Sequence, residues 1–122
     1  MGALVRSRPL TLLLGPPLHV ACDRVPHEDI LDRRFELWSG VAALAALAAR
    51  RGPFDATVLG AVGGSAPDLE HVLPLPRPGG RKLFPSHRIR GWHRSGGLPD
   101  WAQVLAAGVL LGLLLAPRKP GV

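Results

Sequence analysis

Proline and glycine constrain this chain more than any other feature. Of 122 residues, 13 are proline and 15 are glycine. Proline removes a backbone donor and ends helices, and glycine loosens them. Three long stretches survive this punctuation. The first runs from about 27 to 51, with Ile30, Leu31, Phe35, Trp38, Val41 and Ala42 at helical spacing. Pro26 can open it, Glu28 and Asp29 suit the positive end of its dipole, and Arg50-Arg51-Gly52-Pro53 closes it. The second runs from 56 to about 66, with Asp55 as N-cap. Gly63-Gly64 loosens its end and Pro67 breaks or kinks it. The third is Trp101 to Ala116, stopped by Pro117-Arg118-Lys119-Pro120. Between them, residues 72–86 carry Pro74, Pro76, Pro78, Gly79, Gly80 and Pro85 and read as a loop.

The predicted fold is all-α, one domain over 1–122 with about four helices around a His/Asp pocket. Residues 1–9 form a basic leader and 117–122 a basic tail. Hydrophobic residues are 47% of the chain, enough for a core; aromatics are 5% with no tyrosine, which disfavours a β-sandwich or barrel. Leu10 to Gly15 behind the leader resembles a signal peptide, but the run is short and Pro16-Pro17 interrupts it. As a helix, 101–116 spans about 24 Å, less than the ~30 Å hydrocarbon core. It reads as a short membrane span or a buried core helix, with Arg118 and Lys119 on the cytoplasmic side if it spans.

Fifteen Lys and Arg against nine Asp and Glu give a net charge of +6. All but Lys82 and Lys119 of these cations are Arg, which suits lipid headgroups, phosphate esters or nucleic acid. The single cysteine, Cys22, excludes an internal disulfide framework and a Cys-cluster zinc site, and reads as a small buried hydrophobe. Metal chemistry must therefore rest on His, Asp and Glu.

Polar residues outside any amphipathic pattern fall in three places: His19; Pro67-Asp68-Leu69-Glu70-His71; and Ser86 to Ser95. On a helix Asp68 and His71 share a face and can point at one ion, a normal ligand pair for zinc, manganese or iron. Glu70 faces away from Asp68 and reads as a partner behind the ligands or a general base. A bend at Gly91 can bring His87 and His93 together. Between 77 and 94 stand Arg77, Arg81, Lys82, Arg88, Arg90 and Arg94 with no acid among them, a solvated or anion-binding face. His27 reads as surface, and Trp92 and Trp101 as core or interface anchors.

The run Gly63 to His71, the Pro/Gly loop, then His87-Arg88, Arg90-Gly91 and His93-Arg94-Ser95 resembles a bacterial family. It is the LexA-regulated, inner-membrane-associated metal-dependent hydrolases, with a Leu-Pro-Asp-Ile-Asp-His segment and a later His-Arg-Gly-x-Thr-His-Ser segment. The resemblance covers about 18 to 115. Glu70 stands where the family has its second Asp, and His87 and His93 are one residue further apart than in the family pattern. The resemblance implies a helical fold related to zinc-dependent phospholipase C and the P1-type nucleases. It implies His19, Asp68, His71, His87 and His93 as ligands of a divalent metal, zinc first. Glu70 would be the catalytic carboxylate.

The leading expectation is a hydrolase at the bacterial inner membrane, acting on a phosphoester or lipid-like substrate through a metal-activated water. Arg88, Arg90 and Arg94 would neutralise the substrate phosphate. A second expectation is a non-enzymatic membrane protein whose Arg-rich loop binds anionic headgroups. A nucleic-acid binder is disfavoured by the shortage of stacking aromatics.

Overall fold

The computed structural model describes residues 7–92, 94 and 96–117. Four longer helices dominate: α1 (Arg8–Cys22), α2 (Arg33–Arg51), α3 (Ala56–Ser65) and α6 (Asp100–Leu115). Two one-turn helices, α4 (Leu69–Val72) and α5 (Pro85–Arg88), lie between α3 and α6. Short 3-10 turns occupy Ala66–Asp68 and Pro78–Gly80. No strand forms among the described residues, and a single bridge joins His27 to Leu98. The fold is all-α, as the composition predicts.

The centre of the molecule is the crossing of α1 and α3. At its closest point it is made by backbone against backbone. A methyl group added to Gly15 would strike the backbone of Gly63 and Gly64, and one added to Gly63 would strike the Leu12 carbonyl. Only glycine permits this approach. Pro16 and Pro17 lie inside α1 and do not interrupt it. Pro16 has no N–H to offer the Leu12 carbonyl four residues back. That freed oxygen is the atom the Gly63 backbone packs against. Thr11, wholly buried one turn earlier, satisfies its own hydroxyl on the Arg8 carbonyl at 3.0 Å.

Helix α2 begins later than the sequence predicts. Asp32 caps it, accepting from the Arg34 and Phe35 amides at 3.0 and 3.1 Å. The residues before it use their backbone elsewhere: Glu28 N–H donates to Leu98 at 2.9 Å, and Leu98 N–H to Pro26 at 3.1 Å. Gly97, at φ +88°, makes this pairing possible, since a Cβ there would lie 2.7 Å from the Pro26 oxygen. Helix α3 starts where predicted, with Asp55 accepting from Thr57 N–H at 2.8 Å.

Helices α2 and α6 run side by side in the same direction. Phe35 and Trp101, near their N-termini, line one open groove of about 430 Å³. At the other end Arg51 donates to the Leu114 carbonyl at 2.8 Å and Arg50 to that of Leu115 at 3.2 Å. The last carbonyls of α6 thus gain cationic donors. None of the residues of α6 is buried, which corrects the reading of a core helix. Its Trp101, Leu105, Val109 and Leu113 form an exposed stripe, so Trp101 is not a core residue. No helix among the described residues is long and apolar enough to cross a membrane. Cys22 is also exposed, because it lies past the crossing at the end of α1.

Candidate metal centre

The α1–α3 crossing sets the site. One turn beyond Gly15, His19 emerges from α1 next to the end of α3, where the chain tightens into the 3-10 turn carrying Asp68. His19 Nε2 lies 3.3 Å from Asp68 Oδ1 and 3.6 Å from Asp23 Oδ2. The hydrogen bond and charge of Asp68, then the charge of Asp23, hold the imidazole above its usual pKa against the opposing effect of burial. A hydrogen bond to the Gly64 carbonyl adds to this.

Pro85 opens α5 in place of the predicted loop and brings His87 to the same point. Ligand atoms of His19, Asp68 and His87 all lie within 4.8 Å of one another, so the three could hold a metal ion. In a tetrahedral zinc site with bonds of about 2.0–2.1 Å, neighbouring ligand atoms stand about 3.4 Å apart. The 3.3 Å between His19 and Asp68 fits that spacing.

Glu70 is not solvated. It is 1% exposed, because α4 turns its side chain inward while Asp68 and His71 stay on the open side. Its carboxylate accepts from Leu83 N–H at 2.6 Å, from Phe84 N–H at 3.4 Å and from His87 Nδ1 at 2.5 Å. Burial pushes its pKa up, but these hydrogen bonds outweigh it and hold the group below the usual value. Glu70 is therefore an ionised, acceptor-only group behind His87.

A chain of hydrogen bonds continues from there. His71 Nε2 lies 3.1 Å from His87 Nε2, and Lys82 Nζ lies 3.0 Å from His71 Nδ1. An ammonium only donates and a carboxylate only accepts. The polarity follows: Lys82 donates to His71 Nδ1, His71 Nε2–H to His87 Nε2, and His87 Nδ1–H to Glu70. The His71 pKa is lowered by burial first, and the positive charge of Lys82 acts the same way. In this tautomer its Nε2 carries a proton and offers no lone pair to an ion. His71 thus bonds to the one His87 lone pair that could face an ion, so an ion on His87 Nε2 would have to displace this hydrogen bond.

Several predicted residues lie elsewhere. Arg88, Arg90 and Arg94 are exposed, and the Arg94 carbonyl accepts from His27 N–H at 3.2 Å. His93 falls outside the described residues, as do Arg6 of the leader and Arg118 and Lys119 of the tail. Trp92 ties its loop to α1: its indole donates to the Val20 carbonyl at 2.8 Å, and Arg24 lies 4.7 Å over its ring.

The sequence reading overlooked three residues around the cluster. Asp23 and Lys82 stood in charged runs, and nothing in their spacing marks them. Glu36, in the first turn of α2, has its pKa raised by partial burial and by the Asp68 carboxylate, with Arg33 opposing. Compared with protein-family models, curated protein sequences and solved structures, the chain matches none of them.

Proposed function

We propose that the protein is a metal-dependent hydrolase acting on a phosphoester or lipid-like substrate at a membrane surface. One observation carries the reading. Three ligand atoms from three separate elements converge within 4.8 Å, and the middle imidazole is held from behind by a buried carboxylate. A carboxylate behind a ligating histidine fixes its tautomer and raises its basicity, the arrangement expected of a built metal site. The donor set of two imidazoles and one carboxylate suits zinc first, then manganese or iron. A divalent ion there would lower the pKa of a bound water and polarise a phosphoryl oxygen. Asp68, with its side chain 54% exposed, stands on the open side where substrate arrives. Glu70 orients His87 in this scheme. Lys82 beside His71, with Arg88, Arg90 and Arg94 further out, supplies positive charge for an anionic group.

The uncharged exposed stripe on α6 supports a membrane surface as the working place, as does the arginine-rich composition. The resemblance to inner-membrane metal-dependent hydrolases points the same way. The test is metal content of the purified full chain by elemental mass spectrometry, beside an Asp68→Ala, His87→Ala variant, followed by a phosphoesterase screen. About one equivalent of zinc lost in the variant, with metal-dependent phosphoester cleavage, is expected. A chain that takes up no zinc, manganese or iron would favour a lipid-binding protein without catalysis.

A further inference from the structure

Helices α2 and α6 end together, and α3 begins at the same place. A cavity of about 300 Å³ opens there, lined by Arg50, Arg51, Asp55, Leu114 and Ala116. Helix α3, 10 residues long, sets it about 15 Å from the end where Asp68 lies. Successive residues on a helix point about 100° apart, so two adjacent arginines ordinarily serve different faces. Here both turn to α6: Arg51 Nε donates to the Leu114 carbonyl and Arg50 Nε to that of Leu115. With Nε–H held on a helix-end carbonyl, each guanidinium keeps its terminal N–H groups for a second acceptor, and a phosphate is the acceptor they suit. Arg51 shares one of its own with Thr57 Oγ1 at 3.5 Å. Those of Arg50 meet no acceptor among the described residues. Asp55, the one acid in the lining, turns Oδ1 to Thr57 N–H at the positive end of α3.

We infer that this end anchors the protein to lipid, the Arg50–Arg51 pair taking the phosphate of an anionic phospholipid. The inference rests on the membrane-surface part of the reading above, and not on the metal. Apolar side chains stand out beside the arginines. Phe54, in the turn between α2 and α3, is 70% exposed, and Leu113, last in the α6 stripe, is 69% exposed. The sequence also sets Arg118 and Lys119 two and three residues beyond Ala116. Basic, aromatic and aliphatic side chains in one place match the boundary between headgroups and acyl chains. A soluble phosphate ester would use the arginines and leave Phe54 and Leu113 in water. The lipid held here is an anchor and not the substrate, because the length of α3 separates it from the cluster at Asp68.

The experiment measures co-sedimentation of the full chain with two kinds of vesicle at physiological salt: phosphatidylcholine alone, and phosphatidylcholine with phosphatidylglycerol. The parent is expected to prefer the anionic vesicles. The double variant Arg50→Gln, Arg51→Gln should weaken that binding about thirtyfold, the scale of two basic residues at an anionic surface. Arg50→Gln alone changes an exposed residue with one backbone contact, so it should keep the fold and weaken binding about fivefold. Phe54→Ser should weaken it several-fold. Arg88→Gln, Arg90→Gln removes the same charge next to His87 and should stay within about twofold of the parent, since salt screens charges beyond about 8 Å from the surface. If the parent binds neither vesicle, the membrane-surface part of the reading falls and this inference with it, while the zinc measurement decides the metal centre separately. If the parent binds anionic vesicles and both double variants weaken binding equally, net charge is the cause and only this inference falls. It falls also if neutral vesicles bind as well as anionic ones, or if the Arg88, Arg90 variant alone loses binding. Inorganic phosphate is tested by thermal denaturation. If it stabilises the parent and not Arg50→Gln while vesicles fail to bind, the cavity takes free phosphate and the lipid assignment is overturned.

Discussion

His87 donates through Nδ1 to Glu70 at 2.5 Å, and this single bond decides which of its nitrogens faces the cluster. Glu70→Gln tests the orientation. A glutamine can meet His87 with its amide N–H₂ and turn the imidazole tautomer over. Metal affinity is expected to fall about 10–100-fold, with the helical content by circular dichroism retained. Unchanged affinity would mean that Glu70 serves the Leu83 and Phe84 backbone alone.

The raised pKa of His19 gives a pH dependence of definite sign. In metal-free protein the protonated ring gains from Asp68 and Asp23. That stability is fully present below the unfolded value and is lost as pH rises through the higher folded value. Metal needs the deprotonated ring, so affinity runs the other way. Zinc affinity should climb as pH rises from the ordinary imidazole value through the higher folded value, while metal-free stability declines over that same range. Calorimetric titration and denaturant melts at several pH values check both slopes. An affinity flat over the window would remove His19 from the site.

Lys82 holds His71 in the tautomer that cannot ligate. Lys82→Gln replaces an obligatory donor with a side chain that can also accept. His71 can then carry its proton on Nδ1 and turn a lone pair on Nε2 toward the ion. Zinc affinity should rise, by up to about tenfold on the scale of such outer contacts. A fall in affinity would show that Lys82 matters by some other route.

Gly63→Ala separates local from tertiary preference. Helix propensity alone would stabilise the protein by about 1 kcal/mol. The collision with the Leu12 carbonyl predicts a loss of about 2 kcal/mol or more, as overpacking between backbones cannot relax by a rotamer change. Urea denaturation reads the sign. Zinc affinity should drop with it, because His19 and Asp68 stand on the two segments being forced apart.

Asp32→Ala should cost about 1 kcal/mol by removing the acceptor for Arg34 and Phe35. If α2 instead began at Pro26, the substitution would have little effect on the unfolding midpoint.

Much of this architecture is written locally. Asp55 as a cap and Arg51-Gly52-Pro53 as a stop mark helix ends by backbone chemistry that a reader of the chain can follow. Asp68, His71 and His19 stand out because polar ligand types interrupt apolar runs. What was not legible depends on contacts distant in sequence. The true start of α2 is set by pairing of 26–28 with 94–98. The persistence of α1 through Pro16-Pro17 is set by α3. Glu70 read as a partner behind the ligands or a general base, but which ligand it backs was hidden, because Leu83, Phe84 and His87 arrive only after the loop. Asp23 looked like one charge among many, and only its burial distinguishes it.

The crossing of α1 and α3 has a last consequence, for the choice of ion. Most helix pairs are separated by a cushion of side chains that can shift to suit an occupant. Here main chain rests on main chain, so the anchor points of His19 and Asp68 have no such cushion between them. On the metal reading, a larger ion would have to be met by the side chains of His19 and Asp68 alone, because the backbone between their helices would have no slack to give.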